Sequence, residues 1–338
     1  MQAGPQGSAT VMGASVSTDS SADRGPRGLF LAGAPISWGV CEVPGWGPPL
    51  PPDLVLSQMH ELGLAGTELG PTGYLGDDPE GVRAAVSAHG LNVAGGFLPL
   101  VLWSPDPDVG AQSLAEADRA AATLAGATAG GNDTAPVPGP VLNVALVEDM
   151  DWSAPHELTS DEWAQAARHL AQVRAICAGY GVGLALHPHF DTLLEHDDQI
   201  QRALAEFTGI GWCLDTGHLT IAGTDPASFA RAHAAQVTHV HLKDVDATLA
   251  RQLAARQLTL LEATQMGVFR PLGAGDVDVA GTLAALRACG YDGWLVLEQD
   301  TSLTGDEPPE SVVGPMRDVE SSLGFIKSTA QLTGEEKV

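Results

Sequence analysis

Residues 210–244 read IGWCLDTGHLTIAGTDPASFARAHAAQVTHVHLKD. Two short apolar runs lie in this stretch, and each ends in groups suited to metal binding or proton transfer. The first run delivers Asp215 and His218. The second delivers His239, His241, Lys243 and Asp244. The segment between them reads as a helix. Strand, helix, strand, with the chemistry at the C-terminal end of each strand, is how a parallel α/β barrel builds its active site.

Working outward, the same grammar repeats. LFLAGAPISWG reads as a first strand ending near Trp38, and a helix follows with Asp53 as its cap. AGTELG is a second strand that delivers Glu68. LNVAGGFLPLVLW and VLNVALVE are the third and fourth. GVGLALHPHF is the fifth, ending in His187 and His189. The opening stretch supplies the sixth and seventh, and GWLVLEQD is the eighth, delivering Glu298 and Asp300. Strands this short and apolar are expected where a parallel sheet is covered on both faces. The pattern predicts a single (β/α)8 TIM barrel over 29–332, with a helical insertion at 246–266 after the seventh strand. Tails are expected at 1–28, rich in Gly, Ser and Ala and disordered, and at 333–338. A doubly wound open sheet is the alternative, but no GxGxxG turn opens the first helix.

Composition narrows the function. The chain has 338 residues, 44% apolar and 17% charged, enough for one large packed domain. Its formal charge of −26, from 16 Lys+Arg against 42 Asp+Glu, repels phosphate backbones and anionic lipid. Nucleic acid and membrane are therefore not expected partners. Cys41, Cys177, Cys213 and Cys289 are scattered without a CxxC, as in a cytoplasmic protein with reduced thiols.

Strand ends converge in a barrel, so Glu68, His187, His189, Asp215, His218, His241, Lys243 and Glu298 become neighbours. Imidazoles and carboxylates without a thiolate at a strand end suit a divalent ion such as Mn²⁺, Co²⁺, Fe²⁺ or Zn²⁺. The expected ligand set is His187, Asp215, His241 and Glu298, one from each of strands five to eight. Each residue alone has an ordinary explanation. A lone His can be a hydrogen-bonded structural group, Asp215 before Thr-Gly can be turn chemistry, and Glu68 can cap a helix. Solvated loops, however, do not place three histidines on apolar strands. Cys213 reads as a buried thiol rather than a nucleophile. Trp38 reads either as core or as a platform for the apolar face of a sugar ring. PLGAGDVD at 271–278 reads as a structural turn rather than a phosphate cradle, since it carries two Asp and no Lys.

The motifs APISWG (34–39), GTELGPTGYLG (66–76), HPHFDT (187–192), LDTGHLTIAG (214–223), HVHLKDV (239–245), VFRPLGAGDVD (268–278) and GYDGWLVLEQD (290–300) keep one order. With them the chain resembles the sugar-phosphate isomerase/epimerase superfamily of xylose-isomerase-like barrels, and within it the inosose dehydratases of inositol catabolism. The resemblance implies one divalent ion, Mn²⁺ or Co²⁺ first, with Zn²⁺, Fe²⁺ or Mg²⁺ open. It matches Asp215, His241 and Glu298 to metal ligands and His218 to a substrate contact. Trp38, Glu68, His189, Lys243 and Arg270 complete the expected substrate-binding set. One departure matters: the epimerases carry Glu at the end of strand five, where this chain has His187. That replacement weakens two-base epimerisation and points to elimination.

The expected activity is therefore dehydration of a cyclic polyhydroxy ketone such as 2-keto-myo-inositol. Glu298 or Glu68 serves as base, Lys243 helps hold enolate charge, and His189 or His218 serves as acid. An isomerase or epimerase on the same metal site is the alternative, and a non-catalytic sugar-binding subunit is a third reading. The insertion at 246–266 either covers the mouth or contacts a neighbouring subunit in a homo-oligomer.

Overall fold

Inward and outward side chains alternate along short strands, and nearly all of both sets are buried on β6 and β7. On β6 (Gly211–Asp215), Trp212 and Leu214 face the outer core, while Cys213 and Asp215 face the interior. On β7 (Val237–Leu242), Val240 and Leu242 face out, and His239 and His241 face in. The computed structural model describes Met1, residues 29–303 apart from 42, 44, 77 and 129–136, and residues 313–332. The tails expected at 1–28 and 333–338 lie, Met1 aside, outside the described residues.

In chain order the other elements begin with β1 (Phe30–Gly33), α1 (Pro52–Glu61), β2 (Gly66–Glu68), α2 (Pro79–Ala88) and β3 (Asn92–Leu100). Next come α3 (Pro107–Thr128), β4 (Val141–Leu146), α4 (Ser160–Tyr180), β5 (Gly183–Leu186) and α5 (Asp197–Glu206). Between β6 and β7 lie α6 (Thr216–Ile221) and α7 (Pro226–His233). After β7 follow β8 (Asp244–Val245), α8 (Ala247–Ala254), α9 (Leu260–Gln265), β9 (Phe269–Arg270), α10 (Val279–Ala288), β10 (Trp294–Leu297) and α11 (Val313–Leu332). The strands β1 to β7 and β10 form a closed parallel barrel in the order β1-β10-β7-β6-β5-β4-β3-β2. The protein is a (β/α)8 TIM barrel, and β10 is its eighth strand. Among the described residues no helix is long and apolar enough to cross a membrane.

Three local features depart from or refine the sequence reading. The first strand stops at Gly33, because Pro35 has no N–H to continue a ladder and opens a 3₁₀ turn over Pro35–Trp38. The turn closes at Gly39 with φ of 75°. Trp38 is thereby rotated into the core, fully buried, with its indole N–H donating to Gln58 Oε1 at 2.7 Å. It is core and lines no part of the cavity described below. Likewise Asp53 sits inside the first turn of α1, whose N-cap is Pro51.

The crossing from β6 to β7 is two short helices rather than one. Residues 246–266 hold α8 and α9, and the antiparallel pair β8–β9 frames them. Their apolar faces pack with Phe190, Val245 and Val268 in a small cluster of their own. The Gly-rich turn after β9 does cradle an anion, but the anion is the chain's own Asp244. Its carboxylate accepts the N–H groups of Gly273 (2.8 Å), Gly275 (3.0 Å) and Val277 (3.0 Å).

Candidate metal centre

Asp215 ends β6 and begins α6. Its Oδ1 accepts the N–H groups of Gly217 and His218, both at 2.8 Å, and so caps the helix. That fixes the carboxylate and leaves Oδ2 pointing at the strand ends on either side. Oδ2 lies 3.4 Å from His187 Nε2, beyond the end of β5, and 3.6 Å from His241 Nδ1 on β7. His241 Nδ1 is 2.6 Å from Glu298 Oε2, just past the end of β10. The register of β6 on β7 sets this directly, with Asp215 opposite His241.

The four atoms His187 Nε2, Asp215 Oδ2, His241 Nδ1 and Glu298 Oε2 are all buried, and close as they lie to one another and to Lys243, none makes a hydrogen bond of good geometry. Buried polar atoms are rarely left so. Ligand atoms of Asp215, His241 and Glu298 fall within 4.8 Å of one another, as do those of His187, Asp215 and His218. Two imidazoles and two carboxylates fit a borderline-hard divalent ion. The residues present therefore fit the expected metal, and the arrangement is that of a metal-dependent enzyme.

Lys243 runs alongside this cluster, with only 2% of its surface exposed. Its Nζ is 2.9 Å from Asp300 Oδ1, 3.2 Å from Glu298 Oε2 and 3.4 Å from Asp215 Oδ2. Burial opposes its charge, but Asp215, Asp300 and Glu298 raise its pKa well above the usual lysine value. Conversely, burial works against ionised Asp215, yet Lys243 and the imidazoles hold its pKa well below the usual range. Burial raises Glu298 and the cations His241 and Lys243 lower it, leaving it at about 2. Asp300, pushed up chiefly by burial, sits at about 6. Gly217 has no side chain because a Cβ there would lie 2.7 Å from Lys243 Cβ.

Below the ligands lies a polar layer that faces the barrel interior. Glu68 Oε1 accepts from His239 Nε2 at 2.8 Å, His241 Nε2 at 3.1 Å and Asn143 Nδ2 at 2.9 Å. A Cβ at Gly95 would lie 2.5 Å from the Val141 carbonyl oxygen, and 3.3 Å from Glu68 Oε1 and His239 Cε1. Glu68 Oε1 is thus engaged in holding His239 and His241. Burial opposes its charge, while His241 and His239 pull its pKa down.

The His189 and His218 rings meet at 3.8 Å between centroids, tilted by 38°. His189 Nδ1 is 2.6 Å from the Phe190 carbonyl, and burial with the neighbouring His187 lowers its pKa to about 3. His218 lies behind it, with Nε2 3.2 Å from Lys243 Nζ. Burial, His189 and Lys243 hold it well below the usual histidine range. Both rings are therefore neutral. Cys213 is inside the barrel, its thiol pushed up to about 11 by burial.

A cavity of about 890 Å³ opens over the strand ends. Glu68, His187, His189, Lys243, Glu298 and Asp300 reach its wall, whereas Trp38 and Arg270 do not. Arg270 is half exposed on β9 and pairs with Asp246 Oδ2 at 3.3 Å. The structure adds groups that the sequence reading did not select. Asn143 is one: a polar residue in an otherwise apolar strand, facing inward, was the available signal. The aromatic wall of Phe97, Trp103 and Trp152 is another. Trp152 comes from a loop and carries no periodic signal.

The family model described as xylose isomerase-like TIM barrel matches residues 56–328. A rhizopine catabolism protein, MocC, of Rhizobium meliloti is 30% identical over 80% of this chain and 82% of its own length. An inosose dehydratase of Geobacillus kaustophilus is 31% identical over 79% of this chain and 86% of its own. Among solved structures, an L-ribulose 3-epimerase superposes with a TM-score of 0.65 at 18% identity, covering 92% of this chain and all of that one.

Proposed function

The chain belongs to the xylose isomerase-like TIM barrel family, and from that premise we propose that it moves a proton on the carbon next to the ketone of a cyclic sugar or polyol, as an isomerase or epimerase. One observation carries the reading. Four buried ligand atoms without a well-formed hydrogen bond converge beside a cavity whose wall includes Glu298. A divalent ion held by His187, Asp215, His241 and Glu298, with Mn²⁺ or Co²⁺ suited to the donor set, supplies Lewis acidity that acidifies the C–H beside the carbonyl. Glu298 is ionised and faces the cavity, so it is placed to accept that proton. Asp300 lies on the same wall, and a carboxyl at about 6 exchanges protons readily near neutral pH. Lys243 brings fixed positive charge to the side where enolate charge develops.

Return of the proton asks less of the site than loss of a hydroxyl. Glu298 alone can take and return it, whereas elimination also needs an acid for the leaving group. Burial lowers the pKa values of His189 and His218, so that task falls to Asp300, at about 6 on the same wall. Dehydration is the second reading, and two observations favour it. His187 stands where a two-base epimerase needs a carboxylate. Curated relatives named inosose dehydratase share 22–31% identity with this chain.

The two readings separate in D₂O. Protein loaded with Mn²⁺ is given 2-keto-myo-inositol and followed by NMR and ultraviolet absorbance. Deuterium at the adjacent carbon without loss of water supports proton return. An ultraviolet-absorbing enolised dione supports dehydration. Neither signal defeats both readings for this ketone, and full activity after exhaustive chelation defeats the metal assignment.

A further inference from the structure

Cys213 is a thiol placed among metal ligands. It lies on the inner face of β6, two residues before Asp215, and is fully buried. Its apolar neighbours there are Val141 and Ala185. Towards the ligand row it meets imidazole instead. The Cys213 Sγ, one ring nitrogen of His187 and one of His241 all lie within 4.8 Å of one another. Neither nitrogen of His187 makes a well-formed hydrogen bond, although the residue is only 1% exposed, and His241 Nδ1 is in the same state.

Buried polar atoms in that state call for an occupant, and here two kinds of occupant compete for the same imidazoles. Asp215 and Glu298 group with His241 on one side and offer oxygen, which suits Mn²⁺. Cys213 offers sulfur, which suits Zn²⁺ and softer ions. Zinc binds sulfur at about 2.3 Å and imidazole nitrogen at about 2.0 Å, so a tetrahedral site needs these donors about 3.5 Å apart. Donors already within 4.8 Å close that gap by a movement of about 1 Å. Entry is from the cavity, whose wall includes His187.

We infer that the barrel carries a second, thiolate metal position, formed by Cys213 with His187 and His241 one layer below the carboxylates, and that a soft divalent ion bound there displaces Mn²⁺. On binding, the Cys213 S–H bond breaks, the proton passes to solvent water and a sulfur–metal bond forms, with no change in oxidation state. The two positions exclude each other because both need His187 and His241.

The test uses Cd²⁺ as the probe, on full-length protein carrying Cys41→Ser and Cys289→Ser so that Cys177 and Cys213 are the remaining thiols. Cd²⁺ added to the Mn²⁺-loaded protein should raise the ultraviolet charge-transfer band of a cadmium thiolate and release Mn²⁺ in step, read by electron paramagnetic resonance. Adding Cys213→Ser should abolish the band and weaken Cd²⁺ binding about tenfold or more by calorimetry, while Mn²⁺ affinity changes less than about twofold. Mn²⁺ release without a band would mean that Cd²⁺ takes the carboxylate set, and it overturns the inference. So does a band that survives Cys213→Ser, which would belong to Cys177. A band without Mn²⁺ release overturns the sharing of His187 and His241. If Cys213→Ser does not fold, cadmium NMR of the parent protein decides: a resonance in the mixed sulfur–nitrogen range upholds the site, and one in the oxygen–nitrogen range overturns it. None of these readouts uses turnover, so the ketone reading stands or falls separately.

Discussion

Glu68 Oε1 accepts the His241 Nε2 proton at 3.1 Å, and this contact turns His241 Nδ1 towards Glu298 and Asp215. A carboxylate behind a ligating imidazole fixes its tautomer and orientation, and loss of such a partner typically weakens metal affinity about 10–100-fold. Glu68→Gln should therefore bind Mn²⁺ about 10–100-fold more weakly by calorimetry, with turnover recovering at saturating metal. Unchanged metal affinity with a collapsed kcat would instead make Glu68 a direct participant in the chemistry.

Asp215 has two jobs on two oxygens, and substitution can separate them. Asn caps a helix about as well as Asp, whereas Ala in place of a good cap costs about 1 kcal/mol. Asp215→Asn should keep the start of α6 and lose Mn²⁺ binding. Asp215→Ala should lose both, with a Tm a few degrees below that of the Asn variant. Equal Tm values would show that the Oδ1 contacts to Gly217 and His218 contribute nothing to stability.

The barrel and its ligand row were legible because both depend on local order. Asp215, His241 and Glu298 fall at the ends of apolar strands, and a period of two puts Cys213 with Asp215 and His239 with His241 on the inner face. What failed depends on longer-range geometry. Trp38 reads as a strand-end residue until Pro35 converts the run into a 3₁₀ turn and sends the indole into the core. Glu68 does reach the cavity wall, but its partners His239 and His241 are 171 and 173 residues away and out of reach of local order. The stretch 271–278 is the structural turn that it reads as, and only its partner, Asp244, some thirty residues earlier, lay outside local order.

Thiol chemistry tests the barrel interior. Burial raises Cys177 and Cys213 to about 11, so at pH 8 about one thiol in a thousand is ionised. Cys289 is exposed. With a colorimetric disulfide reagent at pH 8, native protein should modify Cys289, while Cys177 and Cys213 react only after denaturant is added. Rapid labelling of Cys213 in the folded protein would show that the barrel interior opens to solvent.

His156 sits between two carboxylates at the rim. Its Nδ1 is 2.6 Å from Glu148 Oε2, its Nε2 is 3.4 Å from Glu162 Oε2, and Trp103 meets the ring edge-on at 4.6 Å. Partial burial opposes its charge, but Glu148 and then Glu162 raise its pKa above the ordinary histidine value. A folded-state pKa above the unfolded one means that the fold binds the proton more tightly. The stabilisation is complete below the unfolded value of about 6.5 and fades as pH rises through the raised folded value. The Tm gap between wild type and His156→Gln should therefore be widest at pH 5.5 and narrow towards pH 8.5. Thermal melts of both proteins across that range provide the check, and a gap independent of pH would mean that the two carboxylates leave the imidazole pKa where it is in the unfolded chain.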